Sequence, residues 1–436
     1  MDLKCIEIEL EPLIRAAGEG TLCLGSCANA VYVISKPIYN VKCSLLGECG
    51  ESTTLIQANF DMSGNKEADY LLNYENQEGV SIKGITFDLQ KRGRGSLKFD
   101  TSQDIIIKDC IFTGYDPTIG HYKTDSSILF ASCINIMIKN NVFIKNGGNT
   151  NNDDQLNRCI TIQDKDASKP ISNGFEIIAN TFKEVNQGIV AKSQSLESFT
   201  VAQNKFSEVV DNSLYLLGLK GVKILDNIFE NSSDEGIVIS GWRTIVGDSS
   251  EYYGKFLICH NYAYNIGVKF LAIDGDIEEL IFLHNEIHTD YGMDSRERPA
   301  AIAWRRNREY SKVVLFVVEN NSFNLDTYPP NFDVFPFGDV GVLLFRNNVI
   351  EVESLSKYQK LFSLNGMQNK QYGADYVEFT GNLVQARPKG RGISSDSIYL
   401  REVYPLLPIS YLIINQGGFG GTMPHVYKYL SWENED

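Results

Sequence analysis

Two acidic pairs stand one repeat apart in this chain. Asp211-Asn212 precedes the apolar run SLYLLG, and Asp234-Glu235 precedes GIVISG. The same place one repeat earlier holds Asn186-Gln187. If the two apolar runs are neighbouring strands, the backbones of Asp211 and Asp234 should lie about 4.8 Å apart. Two carboxylates that close shift each other's pKa, and one is pushed towards protonation. That is the acid with its base or nucleophile that cleavage of a glycosidic bond needs. Carboxyls about 5–5.5 Å apart suit retention and about 6.5–9.5 Å suit inversion. Glu235 is a third candidate for the pair. The same residues have a plainer use, because Asp and Asn side chains also cap turns.

A second group gathers at the other end of such runs. Asp164 and Asp166 follow one run, Lys192 the next, and Asp274 and Asp276 a later one, with Glu278 and Glu279 beyond. Trp242, Trp304 and Arg305 leave the same end. Carboxylates beside indole rings suit a sugar: the apolar ring face stacks on Trp while the acids bond its hydroxyls. They equally suit a solvated acidic edge with two packing tryptophans. Cleavage by elimination would instead need a basic proton abstractor, often with calcium on Asp or Glu. Arg305 or Lys192 near Asp164 and Asp274 would fill that role. Arg296, Arg298, Arg305, Arg306 and Arg308 form a basic cluster in an acidic chain. It suits the carboxylates of an anionic glycan, or acidic groups across a subunit interface.

Other chemistry finds little support. His121, His260, His284, His288 and His425 show no HExxH spacing. His260 and His284 each precede an Asn on successive repeats, so they should stack at the surface. Cys23 and Cys27 with Cys43 and Cys49 are spaced C-x3-C and C-x5-C, and the second gap departs from a zinc pair. They read as small buried thiols. No P-loop, GxSxG or dinucleotide fingerprint occurs, so no cofactor and no metal site is expected.

The elements that position these groups are repeats. Ile138-Lys139-Asn140-Asn141-Val142-Phe143 sets the pattern: apolar, two variable residues, Asn, one variable residue, then Phe or another apolar residue. It recurs around Asn180, Asn204, Asn227, Asn261, Asn285 and Asn321, and more loosely around Asn348 and Asn382. Two earlier copies carry Ile85 and Cys110 in place of Asn. The shortest steps are 23 to 25 residues, and the longer ones add a loop to that floor. Each repeat carries a second, β-branched run after the Asn motif, such as CITIQ, GIVAK and KFLAID. Runs of this kind bounded by Gly, Asn and Asp read as strands. Short strands cannot bury an inward face alone, and stacking them buries one continuous core. The repeated Asn then forms a hydrogen-bonded ladder at one turn, and the Phe two residues later stacks in the core. Helical spacing is confined to Glu9 to Ala17, ending at Gly18. Long insertions at 144–158, 164–174, 242–254, 288–299 and 305–312 should wall a groove.

Composition narrows the partners. Forty Lys plus Arg against 55 Asp plus Glu gives a net charge of −15. That argues against bulk binding to nucleic acid, which needs a basic face, and against an anionic membrane surface. No apolar run is long enough to span a bilayer. The opening MDLKCIEIELE is acidic where a secretory leader would be basic and then apolar. The nine cysteines read as reduced thiols rather than a disulfide framework. Folding in a cytosol is expected.

On these repeats the chain resembles the right-handed parallel β-helix superfamily of pectate lyases and phage tailspikes, over roughly residues 20–385. The resemblance implies an all-β solenoid of about eleven to thirteen coils with an Asn ladder and a short N-terminal capping helix. It implies a capping segment at 1–20, the β-helix at 21–385, and a C-terminal cap or subunit contact at 386–436, where four prolines and GGFGG occur. The missing leader and the reduced thiols fit a tailspike that folds in the host cytoplasm and reaches the virion. Tailspikes of this kind are homotrimers that bind or cleave a cell-surface polysaccharide. The expected partners are therefore polysaccharide, two further copies, and a baseplate or tail adaptor protein. A bacterial polysaccharide lyase, epimerase or glycan transferase, secreted by a leader removed earlier, is the second reading. A non-enzymatic glycan-binding or structural spike is the third.

Overall fold

The computed structural model describes residues 6–25, 30–47, 54–59, 70–90, 94–115, 126–146, 157–166, 168–240, 254–290, 300–304, 312–327, 335–352, 362–364, 374–386, 411–417 and 425–427. The chain is a parallel β-helix that divides into two units, residues 1–215 and 216–436.

In the first unit each coil gives one strand to a short sheet and two to a long one. The short sheet stacks Leu72–Glu75, Leu97–Asp100, Ser126–Ala131, Arg158–Gln163 and Gln187–Lys192, all parallel. Gln103–Lys108, Ile134–Lys139, Asn173–Ile178 and Phe199–Ala202 form one wall of the long sheet. The Asn turn leads from that wall into Ile111–Thr113, Val142–Ile144, Thr181–Val185 and Lys205–Val209. Strand alternation sends every second side chain inward. Phe87, Phe112, Phe143, Phe182 and Phe206 accordingly stack with centroids 5.3, 4.9, 4.8 and 4.6 Å apart. Each ring is fully buried, which contributes roughly 1.5–3 kcal/mol per side chain. The helix Leu10–Ala17 buries Leu10 and Ile14 and stops at Gly18, whose φ of 60° no β-branched residue would adopt easily.

The second unit repeats the plan. Its short sheet stacks Ile237–Ser240, Lys269–Asp274 and Ala300–Trp304. Its long sheet runs through Gly221–Leu225, Lys255–Cys259, Ile277–Leu283, Lys312–Glu319, Asp339–Arg346 and Ala374–Ala386. Tyr411–Gly417 adds one more parallel strand to Ala374–Ala386, and His425–Tyr427 then pairs antiparallel. Parallel pairing thus continues into the segment that sequence places outside the repeat.

The Asn turn is a ladder in each unit. Asn141 donates its backbone N–H and its amide to Asn180 Oδ1 at 2.8 and 2.9 Å. Asn180 does the same to Asn204 at 2.8 and 3.0 Å. In the second unit Asn227, Asn261, Asn285, Asn321, Asn348 and Asn382 repeat the bond rung by rung. Each Nδ2 from Asn261 to Asn382 also reaches a main-chain carbonyl on the preceding rung, as Asn261 does to Ile224 at 2.9 Å. Cys110 joins the ladder through its N–H to Asn141 Oδ1 at 2.9 Å, and its thiol donates to Lys108 and Ile82 carbonyls.

The residue before each ladder position is left-handed. Asp109, Asn140, Ala179, Gln203, Asp226, His260, His284, Asn320 and Asn347 have φ between 51° and 57°. Asn and Asp accept this region at small cost, whereas Ala and Gln do so at roughly 1–2 kcal/mol.

Candidate functional site

The acidic pairs enter the short sheet, and the strand pattern explains what surrounds them. Inward positions alternate along each strand. Arg158, Ile160 and Ile162 share the inward face of one strand, and Gln187, Ile189 and Ala191 that of the next. In the second unit Glu235, Ile237 and Ile239 share it, then Lys269, Leu271 and Ile273. The first inward position of these four strands is therefore polar and buried, whereas Ala300 takes it on the strand after Lys269. Buried polar groups must be paired, and these are.

In the first unit Arg158 donates through Nε to Gln187 Oε1 at 3.1 Å. Gln187 in turn donates its amide to the Asp211 carboxylate, which also accepts from the Asn212 amide. The Asp211 backbone N–H bonds Asn186 O at 2.9 Å. Gly188 follows Gln187 because a Cβ there would sit 2.4 Å from Ser213 O and 2.9 Å from the Phe206 ring.

In the second unit the Glu235 carboxylate is fully buried and meets the Lys269 ammonium at 3.5 Å, itself nearly buried. Asp234 precedes it at the turn, partly exposed, and its carbonyl accepts Val268 N–H at 3.3 Å. Glu235 is thus an interior ion-pair partner, and Asp211 and Asp234 are the partly exposed carboxylates of these turns. Sequence spacing singled out the acids but missed Arg158 and Lys269. A charged residue two positions before two inward apolar residues was the available signal.

The second predicted group is dispersed in its duties. Asp164 Oδ1 accepts the N–H groups of Ile171 and Ser172 at 3.1 and 3.0 Å, closing its own loop. Asp276 Oδ1 accepts Lys312 N–H at 2.9 Å and sets the start of the next strand. Asp274 is buried, on the outward side opposite Ser240. Lys192 lies 5.8 Å from the Tyr215 ring centroid. Burial lowers its pKa, and the nearby Arg158 charge lowers it further. Trp304 is half-buried. It pairs with inward Ile273, and its ring packs edge-on against Phe316 and Phe337 at 5.9 and 5.8 Å. Trp242, Arg305, Arg296, Arg298, Arg306 and Arg308 lie outside the described residues. So do most of the long insertions.

The outer face of the short sheet differs from that of the long one. Outward Thr161 and Val190 in the first unit, and Val238 and Ala272 in the second, have no exposed surface. His260 and His284 stack at 5.1 Å, as the repeat requires. Cys43, Cys133 and Cys159 are free and buried, as is Cys110, while Cys23 is free and exposed.

No protein-family model matches this chain, and no characterised protein sequence matches it. Solved structures do. The chain is similar to the catalytic unit of a thermostable GH87 alpha-1,3-glucanase from Streptomyces thermodiastaticus strain HF3-3, with TM-score 0.50 and 12% identity over 86% of this chain and 65% of that one. It is similar to PfbA, a surface adhesin of Streptococcus pneumoniae, with TM-score 0.48 and 15% identity over 88% and 87% of the two chains. A third similarity is to the Geobacillus virus E2 protein ORF18, with TM-score 0.43 and 14% identity over 70% of this chain. This chain spans only 55% of that viral protein. At such identities the likeness is one of fold: this chain is a parallel β-helix.

Proposed function

We propose that this chain binds a cell-surface polysaccharide and hydrolyses it in the manner of a tailspike. Asp211, with Asp234 or Glu235 one repeat on, supplies the acid and its partner carboxylate. One observation carries the reading. Where the short sheet begins, acids replace the amides that would suffice to cap a turn, and Asp211 is held by Gln187 and Asn212 with its edge in reach of solvent. Between the candidates for partner, Asp234 is favoured, because Glu235 is committed to Lys269. Assembly as a homotrimer, attachment to a virion through an adaptor protein, and folding in a host cytoplasm belong to the same proposal.

Incubation with capsular, O-antigen and plant polysaccharides tests it, reading new reducing ends and the ultraviolet absorbance of an unsaturated sugar together. The expected result is reducing ends without absorbance. Loss of roughly 10²–10⁴-fold is expected in Asp211→Asn and Asp234→Asn, the usual worth of a general acid or base. Absorbance at the unsaturated sugar would replace hydrolysis with elimination and move attention to Lys192. Binding without either product would leave a glycan-binding spike.

A further inference from the structure

Three lysines fall on consecutive rungs of the first unit's long sheet. Lys108 pairs in register with Lys83 on one side and Lys139 on the other. Their neighbours Ile82, Ile107 and Ile138 are fully buried, so alternation turns the lysines outward. Rung spacing sets their backbones about 4.8 Å apart.

Like charges directly opposite one another destabilise a sheet. A chain of net charge −15 has acids to spare for such a row. Yet among the described residues one carboxylate forms an ion pair with it, Asp109, at 3.4 Å from Lys108. The corresponding column of the second unit runs Leu225, Cys259, Leu283, Glu319 and Arg346, where the adjacent charges are opposite. Beside the lysines lie two apolar residues, Ile106, 37% exposed, in register with Met137, and the column then continues to Glu176.

We infer that this face binds a linear polyanionic glycan along the stacking direction. Its carboxylate or sulfate groups meet Lys83, Lys108 and Lys139, and the apolar faces of its rings cover Ile106 and Met137. Among the described residues no carboxylate pairs with Lys83 or Lys139, and that charge is the complement of such a polymer. A nucleic acid fits less well, because its phosphate backbone needs a broad basic footprint that the acidic remainder of the chain opposes. The row lies on a different sheet from the entry to the short sheet, so binding here does not depend on cleavage there.

Dextran sulfate, carboxymethyl-dextran and neutral dextran share one backbone and differ in charge. The full chain is titrated with each, and with single-stranded poly(dT), by calorimetry at low and moderate salt. Both charged dextrans are expected to bind, more weakly as salt rises, and neutral dextran is not. The triple variant Lys83→Gln, Lys108→Gln, Lys139→Gln is expected to lose about tenfold or more in affinity while its Tm stays level or rises. The Lys→Arg triple is expected to keep binding, and the single Lys108→Glu to weaken it, which covers a triple variant that fails to fold. Asp211→Asn is expected to bind like the parent, which separates this face from the carboxylate proposal. Equal binding of the parent and the glutamine triple would overturn the inference. So would absence of charged-dextran binding at low salt, or tighter binding of poly(dT) than of either charged dextran.

Discussion

Two corners of the same coil obey opposite rules. At the Asn turn nearly every rung repeats one residue, and each amide is both donor and acceptor to its neighbours. At the entry to the short sheet the residue changes from rung to rung: Arg158, then Gln187 in the first unit, and Glu235, then Lys269 in the second. Both corners are buried and both are hydrogen-bonded. The first is uniform because an identical side chain satisfies itself at every step. The second must be matched pair by pair, and a corner matched that way can carry charge. Uniformity marks the scaffold, and variety marks the place where chemistry can be installed.

Breaking the uniform corner should cost most. Asn261→Ala removes the acceptor of the Asn227 N–H and the donor to Ile224 O. Leaving several buried groups unpaired is expected to cost about 3–5 kcal/mol, read as a fall in the denaturation midpoint of the second unit. A cost under about 1 kcal/mol would show that water replaces the amide and that the ladder is no stricter than the other corner.

The varied corner should respond to pairing. Glu235→Met alone strands the Lys269 ammonium and is expected to cost about 3 kcal/mol. Glu235→Met with Lys269→Met is expected to return to within about 1 kcal/mol of the parent. Polysaccharide cleavage measured on the double variant then sharpens the assignment. Retained activity leaves Asp234 as the partner of Asp211, and lost activity restores Glu235.

Smaller effects test the backbone and the charge. Ala179→Gly relieves a φ of 56° and is expected to add about 0.5–1 kcal/mol to stability. Lys192→Met removes an ammonium whose pKa lies below its ordinary 10.5 through burial and then Arg158. Between the lowered folded value and 10.5 the unfolded chain binds more protons, so parental stability rises with pH in that window. The variant should therefore be more stable than the parent near pH 7, and the gain should vanish by the top of the window. A gain that does not change with pH would point to packing against Tyr215 instead.

The repeat made most of the fold legible. Asn and Phe recur at fixed offsets because their side chains bond or stack with copies of themselves, so the pattern survives insertions between rungs. The left-handed residue before each Asn was not legible. Asp109, Ala179, Gln203 and His260 share a conformation and no chemistry. Of the site, the acids were visible because outward carboxylates interrupt turn chemistry. Lys269, the inward partner of Glu235, was hidden by being read as the first residue of a strand, and Arg158, which bonds Gln187, by being counted with the insertion 144–158. Trp304 ends its strand in register with inward Ile273, a placement that spacing alone did not show.

The buried thiols have a use as clocks. Burial holds Cys110 and Cys133 at a pKa of about 12, and only the thiolate attacks an electrophile. While the first unit's coils stay stacked these sulfurs are chemically silent. Each labelling event therefore counts an opening of the stack. The rate at Cys110, set in the Asn ladder, against that at Cys133 or Cys159 would tell whether the coils separate singly or all together.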